Sequence, residues 1–335
     1  MPSYNDAGRR RREWNNEPPD IARYRVQALR RIVLPITAAA FIAATAISAP
    51  NAQAAADCPD AGQSAVQVGA VSGALEGLTV DSQGRAYATD LVSGHVLRID
   101  APGAPAVVIA TVPSGGAGAL AWTRDGKLLV GYGADARVVI GDLVPLAGIV
   151  QVDPDTGAMT PFASGLSAAN GMDVAADGTV YATNDFGNLV GRVSPNGAVQ
   201  ADWARFPSAN GAVLDADNEY LYVSRTFVNP GVSRIPTADP DAPQSLLDLS
   251  GIDTFGTPDG LTLDSQNRPV VPFNLSGRIV RIDSPGRYCV LGTAATSTSV
   301  LTYGRGTTGF SAGRLFAATF TGAIYEIPGA FDSNA

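Results

Sequence analysis

Short apolar runs recur along the chain, each followed by a polar turn and a second apolar run. The turns are rich in Gly, Asn and Asp, residues that accept the positive φ of tight β-hairpins. A third, alternating run often begins at a glycine, as at Gly94, Gly277 and Gly322. The first runs start near residues 76, 119, 170, 210, 259 and 308, and a period of about 40 to 50 residues is typical of propeller blades. Helical periodicity is absent beyond residue 55. The pattern predicts an all-β protein, a six-bladed β-propeller.

The sixth repeat is the weakest, and Thr308-Gly309-Phe310 is predicted to be its first strand. This repeat supplies three strands, so we expect residues 64–69 to add the fourth and leave no long sheet edge exposed. Cys58 precedes that segment and Cys289 lies in the outer strand of the fifth blade. These are the only two cysteines, and we expect either a disulfide between them or two buried free thiols.

Residues 1–54 have the composition of an export leader. Arginines 9–12 begin a basic segment, an Ala-rich apolar stretch follows, and Ala52-Gln53-Ala54 fits a signal-peptidase site. The pair Arg30-Arg31 indicates a twin-arginine route as one option. An uncleaved membrane anchor is the alternative, because the apolar stretch approaches the length of a membrane span. We expect a secreted or periplasmic (cell-envelope) protein in which residues 55–335 form one propeller domain.

The charge balance narrows the range of partners. The whole chain has a formal net charge of −8. Without the basic leader the remainder has a net charge of about −12, and Lys127 is its one lysine. An acidic surface without basic clusters predicts no nucleic-acid partner and no membrane association once the leader is removed. A small molecule is the expected ligand.

Four of the first runs begin with an acidic or amide residue directly before glycine. These pairs are Glu76-Gly77, Asn170-Gly171, Asn210-Gly211 and Asp259-Gly260. The innermost strand of each blade lines the central channel, so side chains at one repeat position converge there. Two carboxylates and two amide oxygens form a hard donor set that suits Ca²⁺ or another divalent cation. The alternative is that each pair is a turn, because Asn-Gly and Asp-Gly are common turn dipeptides.

These motifs resemble the senescence-marker-protein (regucalcin)/gluconolactonase family and, more distantly, paraoxonases and strictosidine-synthase-like propellers. The resemblance covers most of residues 70–328 and is most specific at Asn210-Gly211 and Pro258-Asp259-Gly260. It implies a six-bladed propeller that binds a divalent cation, usually Ca²⁺, and hydrolyses lactones or related esters. Carried over by motif, Glu76, Asn210 and Asp259 would be the core metal ligands. Asn170 would hold the metal or the carbonyl side of the substrate.

The resemblance also implies roles for further residues. Asp259 would be the general base as well as a ligand, and Asp185 is the alternative base if its loop folds over the channel. Asn184 and Asn274 occupy similar strand ends and are candidate hydrogen-bond partners of the substrate. Arg225 is a further candidate substrate-binding residue.

The chain departs from the family pattern at two points. The cationic residues that grip sugar acids in some members have no counterpart by motif here, and Arg225 or Arg305 could substitute for them. Paraoxonase-type members use histidine as the base, whereas the single histidine of this chain, His95, is expected on an outer strand.

The resulting prediction is a secreted, Ca²⁺-dependent hydrolase of the lactonase or esterase type that acts on a small lactone or ester at the channel. A non-catalytic binding propeller stabilised by a metal ion is the alternative from another class. A lyase of the virginiamycin-inactivating kind is a third, disfavoured by the lack of a channel histidine.

Overall fold

A computed structural model describes residues 56–335 apart from 60, 62, 63 and 114. The predicted leader, residues 1–54, lies outside the described residues. The described chain forms 24 strands in six four-stranded sheets. The first strand of each sheet contacts the first strand of the next, and the sixth returns to the first. This ring confirms the six-bladed propeller.

From the inner to the outer strand, the first three blades are β2 (Leu75–Val80), β3 (Ala86–Asp90), β4 (His95–Ile99) and β5 (Ala106–Thr111); β6 (Ala117–Trp122), β7 (Leu128–Tyr132), β8 (Ala147–Val152) and β9 (Met159–Leu166); and β10 (Met172–Val174), β11 (Val180–Ala182), β12 (Leu189–Val193) and β13 (Val199–Arg205). The next three are β14 (Ala209–Leu214), β15 (Tyr220–Arg225), β16 (Gly231–Pro236) and β17 (Gln244–Asp248); β18 (Thr262–Leu263), β19 (Pro269–Phe273), β20 (Arg278–Ser284) and β21 (Arg287–Thr293); and β22 (Thr298–Tyr303), β23 (Leu315–Thr319), β24 (Ala323–Ile327) and β1 (Val66–Ala70). Three short 3-10 helices span Ala136–Ile140, Gly251–Gly256 and Pro328–Ala330.

Both faces of each blade are apolar because each blade is covered by a neighbour on either side. In β7, Leu128 and Val130 pack towards the first blade, whereas Leu129 between them packs towards the third. Successive side chains of a strand point to opposite faces. A strand that is buried on both faces therefore has a continuous apolar run, as in residues 128–130, rather than strict alternation.

The N-terminal segment closes the ring, as the sequence predicts. Strand β1 pairs antiparallel with β24 and becomes the outer strand of the sixth blade. Just before it, the Cys58 amide donates to the Val290 carbonyl oxygen at 2.8 Å, which adds a short edge segment to the fifth blade. Cys58 and Cys289 form a disulfide across 231 residues, so the free-thiol alternative is wrong. Closing a loop of this length restricts the unfolded chain by about 5 kcal/mol in the chain-entropy model.

The sixth blade differs from the prediction in one strand. Its inner strand is β22, and Thr308-Gly309-Phe310 lies in the loop between β22 and β23. Val300 of β22 occupies the position that glycine has in four other blades. Because this glycine is missing, the sequence pattern did not reveal β22 as an inner strand. Phe310 instead contributes a fully buried ring that packs against Phe316, with ring centroids 4.9 Å apart.

Over the described ranges, no helix has the length and apolarity that a membrane span requires.

Candidate active site

The four predicted ligand positions lie together at one end of the central channel. Glu76 and Asn210 are the second residues of β2 and β14, and Asn170 and Asp259 lie just before β10 and β18. All four are at least nine-tenths buried. They line a cavity of about 670 Å³ at the channel mouth. The residues of four blades therefore converge in this cavity. Together with Asp185, which lines the same cavity, they are here called the polar floor.

The glycine after each of these residues is required by close packing between blades, not by a turn. None of the four glycines has a positive φ. A Cβ atom added at Gly171 would lie 2.1 Å from the Asn210 carbonyl oxygen, and one at Gly77 would lie 2.6 Å from that of Gly118. Each inner strand thus runs against the next blade where only glycine fits. The turn alternative for these pairs is wrong.

Hydroxyl groups join neighbouring blades at the same level. Thr89 Oγ1 accepts a hydrogen bond from the Gly77 amide at 2.7 Å and donates to the Gly118 carbonyl oxygen at 2.6 Å. Thr183 is placed in the same way, accepting from the Gly171 amide at 3.0 Å and donating to the Asn210 carbonyl oxygen. These bridges hold the starts of the inner strands, and therefore the polar floor, in fixed positions.

Several oxygens of the floor are buried without a hydrogen-bond partner. They are Oε2 of Glu76, Oδ1 of Asn170 and Oδ1 of Asp185. Asp185 lies in the loop after β11 and is 8% exposed. Burying a polar atom without a partner costs about 1–3 kcal/mol, so clusters of such atoms are rare in structural positions. Their convergence in one cavity makes this cavity the candidate ligand-binding site.

The amide of Asn210 is oriented by Thr226, a residue that the sequence analysis did not single out. Thr226 Oγ1 donates to the Pro258 carbonyl oxygen at 2.6 Å and accepts from Asn210 Nδ2 at 2.9 Å. Because its one proton is committed, Thr226 must receive the amide nitrogen, and the Asn210 oxygen is directed elsewhere. Asn274 acts similarly on Asp259, donating from Nδ2 to Oδ2 at 2.8 Å.

Three carboxyl groups of the floor disfavour one another's ionisation. Burial raises the pKa of Glu76 well above its ordinary value, and the charges of Asp259 and Asp185 raise it further. Burial also raises the pKa of Asp259; the hydrogen bond from Asn274 opposes this rise and the charge of Asp185 reinforces it. Burial raises the pKa of Asp185 to about 6. A bound cation would relieve this repulsion.

The donor set fits a hard cation better than a transition metal. Among the described residues, no group of three or more His, Cys, Asp or Glu side chains is close enough to form a metal cluster by itself. The floor instead combines two carboxylates, Glu76 and Asp259, with the amides of Asn170 and Asn210. Mixed carboxylate and amide oxygens are characteristic of Ca²⁺ sites, which also take water.

Two predicted substrate-binding residues do not reach the cavity. Asn184 is fully buried, donating from Nδ2 to the Val138 carbonyl oxygen and accepting from two backbone amides through Oδ1. Arg225 extends towards the outer strand β17, where it donates to Leu247 O and Asp248 Oδ1. Asn184 therefore supports a loop, and Arg225 holds an outer strand. Asn274, the third candidate, does line the cavity.

Arg305 and His95, which the sequence analysis also considered, do not line this cavity. Arg305 lines the narrow channel below it, where its charge lowers the pKa of Asp173 against a larger rise from burial. His95 begins β4, the third strand of the first blade, and lines neither cavity. His95 was predicted on an outer strand; it lies on the third of four strands, inside the outermost strand β5 and away from the inner strand.

Fold and floor together define a six-bladed propeller with an oxygen-rich centre at its channel mouth. The model of the SMP-30/gluconolactonase/LRE-like region matches residues 75–307. The chain belongs to this family. No protein of curated function matches the sequence.

Solved structures similar to this chain share its fold at low sequence identity. A gluconolactonase from Xanthomonas campestris is 19% identical with a TM-score of 0.62, covering 78% of this chain and 89% of its own. Regucalcin from Agrobacterium tumefaciens, a calcium-binding protein, is 18% identical with a TM-score of 0.61, covering 79% and 93%. Virginiamycin B lyase from Staphylococcus aureus, in a catalytically inactive form with a histidine replaced by alanine, is 15% identical with a TM-score of 0.52, covering 80% and 89%.

Proposed function

We propose that this protein is an exported, Ca²⁺-dependent lactonase or esterase. The observation that carries the proposal is the group of buried oxygens without partners on Glu76, Asn170 and Asp185. Family membership supports lactone chemistry. The Cys58–Cys289 disulfide supports a place outside the cytoplasm.

Glu76, Asn170, Asn210 and Asp259 would hold the cation. When bound, Ca²⁺ would neutralise the floor and polarise the substrate carbonyl, which stabilises the negative charge that develops on its oxygen. Thr226 keeps the Asn210 oxygen available by binding the amide nitrogen. Asn274 holds Asp259 in one orientation.

Asp185 is the better placed of the two candidate bases. Both oxygens of Asp259 already accept hydrogen bonds, from the Gly260 amide at 3.0 Å and from Asn274 at 2.8 Å. Asp185 Oδ1 has no partner and is therefore free to accept a proton from a water molecule in the cavity. Asp185 would take a proton from water as the water oxygen adds to the carbonyl carbon. It would return the proton to the ring oxygen as the C–O bond breaks, which yields the hydroxy acid.

The test is hydrolysis of a lactone panel followed by pH-stat, with EDTA and then with added Ca²⁺. We expect turnover to stop in EDTA, to return with Ca²⁺, and to fall by about 10²-fold or more in Glu76→Gln. Glu219→Gln is the matched control, because Glu219 is exposed and lies outside the cavity. Turnover that is unaffected by EDTA and by Glu76→Gln would contradict a metal-dependent mechanism.

The base is tested separately by Asp185→Asn. We expect kcat to fall and its rise with pH to disappear, while Ca²⁺ still raises the melting temperature. Loss of the Ca²⁺ response in this variant would instead make Asp185 a ligand.

The non-catalytic binding propeller is the alternative, and it predicts a Ca²⁺-dependent melting temperature with no turnover. The position of His95 disfavours a lyase. A form of the staphylococcal lyase that lacks one histidine is inactive, whereas the single histidine of this chain lies away from the cavity.

A further inference from the structure

The wall above the polar floor is apolar, and its residues come from equivalent loops of the six blades. Each blade contributes at least one apolar side chain from the loop between its second and third strands. These residues, here called the apolar rim, are Val92, Val139, Phe186, Phe227, Leu275 and Phe320. Loops of this kind are usually polar, so a six-fold repetition of apolar residues needs an explanation.

The rim is exposed at a cost that a ligand would offset. Val92 is 80% exposed and Val139 is 64% exposed, and Phe186, Phe227 and Leu275 are each more than half exposed. Contiguous exposed apolar surface of this kind marks a binding site in soluble proteins. The rings of Phe186 and Phe227 lie 4.5 Å apart at 38°, so the third and fourth blades share one aromatic surface beside Asp185.

The charged residues of the cavity disfavour anionic substrates. Among the residues that the structure describes, no lysine or arginine lines the cavity, whereas Asp135 adds a fourth carboxylate to those of Glu76, Asp185 and Asp259. Asp135 is itself paired with Arg137 at 2.7 Å. Apart from the proposed cation, a substrate that carries a carboxylate or phosphate would therefore find no cationic side chain among those that line the cavity. A polyhydroxylated substrate would find hydrogen-bond partners at the floor but almost none along the rim.

We propose that the substrate is an uncharged lactone or ester with an apolar alkyl arm. The carbonyl group lies at the floor, and the arm lies along the apolar rim towards Phe186 and Phe227. A cavity of about 670 Å³ is large enough for such a molecule. This inference rests on the proposed hydrolase function and specifies its substrate class.

The test uses the full-length protein with Ca²⁺ and a series of γ-lactones whose unbranched arms have zero to eight carbons. Glucono-δ-lactone is the polar comparison. Each methylene buried against the rim is worth up to about 0.8 kcal/mol, so kcat/KM should rise about two- to fourfold per methylene until the arm leaves the cavity. Glucono-δ-lactone should be at least about tenfold poorer than the eight-carbon member.

Two rim variants test where the arm lies. Phe227→Ser and Val139→Ser should each lower the ratio of kcat/KM for the longest arm to that for the armless lactone by about three- to tenfold. Phe331→Ser is the matched control: Phe331 is 62% exposed but lines no part of the cavity. It should leave both values unchanged.

The outcomes separate this inference from the function on which it rests. Turnover that is Ca²⁺-dependent but indifferent to arm length, or best with glucono-δ-lactone, would overturn the inference and leave the hydrolase standing. An arm-length slope that survives both rim variants would also overturn it, because the arm would then lie elsewhere. No turnover of any lactone with Ca²⁺ would remove the hydrolase and this substrate class together.

Discussion

The inner strands have buried polar residues at both ends. At one end the carboxylate oxygens are satisfied by amide and arginine donors, whereas at the other end they face other carboxyl groups. Asp259 and Asp264 lie on either side of β18, and both are 5% exposed. Asp264 accepts hydrogen bonds from the Gln266 and Arg268 amides and from Arg268 Nε, at 2.7 to 3.0 Å. Asp259 faces other carboxyl groups, and its pKa is raised.

The first and fourth blades repeat the contrast. Asp81, five residues after Glu76, accepts from two backbone amides, Arg85 Nε and the Tyr87 hydroxyl. Asp215, five residues after Asn210, accepts from the amides of the hairpin turn. The strand-end aspartates (Asp81, Asp215 and Asp264) therefore close hairpins and stabilise the fold. Among the strand-start residues (Glu76, Asn170, Asn210 and Asp259), the two carboxyl groups have raised pKa values, an electrostatic cost that a cation would relieve.

The largest expected effect is the pH dependence of the metal-free protein. The folded pKa of Asp185 is raised from 3.8 to about 6, so the folded state binds this proton more tightly than the unfolded state. The stabilisation is present below about pH 4 and is lost as pH rises through 6, on the order of 3 kcal/mol for this group. Glu76 and Asp259 act in the same direction. The melting temperature in EDTA should fall from pH 5 to pH 8.

Added Ca²⁺ should flatten this slope, because the ion replaces protons as the partner of the floor. A melting temperature in EDTA that stays constant or rises over this range would show that the floor carries no such repulsion. The strand-end aspartates already have their partners and should contribute little to the slope.

The second prediction substitutes the same residue type at both ends of β18. Asp264→Asn should destabilise the protein by about 2 kcal/mol, because an NH₂ group would face Arg268 in place of a carboxylate. Asp259→Asn should raise the stability of the metal-free protein at pH 8 by about 1–2 kcal/mol and abolish the Ca²⁺ response. Urea unfolding in EDTA measures both. Destabilisation of similar size in both variants would refute the contrast.

The third prediction concerns the glycines that bring the strand starts together. Gly171→Ala should cost about 1–3 kcal/mol and weaken Ca²⁺ binding, since the added carbon would push the third blade away from the Asn210 carbonyl oxygen. Gly69→Ala is the control, because its nearest neighbour, an Ile324 side-chain carbon, lies at 3.5 Å. Thermal melts with and without Ca²⁺ measure both. Equal effects of the two substitutions would mean that close packing at Gly171 does not hold the site.

Two adjacent residues in the loop after β11 show what the sequence could not predict, namely which loop side chains face the cavity. Asn184 and Asp185 were both candidates, yet Asn184 turns inward to bind Val138 and Ser167, whereas Asp185 turns into the cavity. No period governs the direction of side chains in a loop. For the same reason, nothing in the sequence indicated that Thr226, the first residue after β15, orients a floor residue.

The repeat in the sequence determined the fold and the four strand-start residues, because side-chain direction is periodic within strands and the repeat fixes each residue's place in the ring. It also indicated closure by the N-terminal segment and the two cysteines. Only the tertiary structure decided which oxygens lack partners, which loop residues face the cavity and where the sixth blade begins. Partnership and burial depend on neighbours supplied by other blades, and these neighbours are distant in the chain.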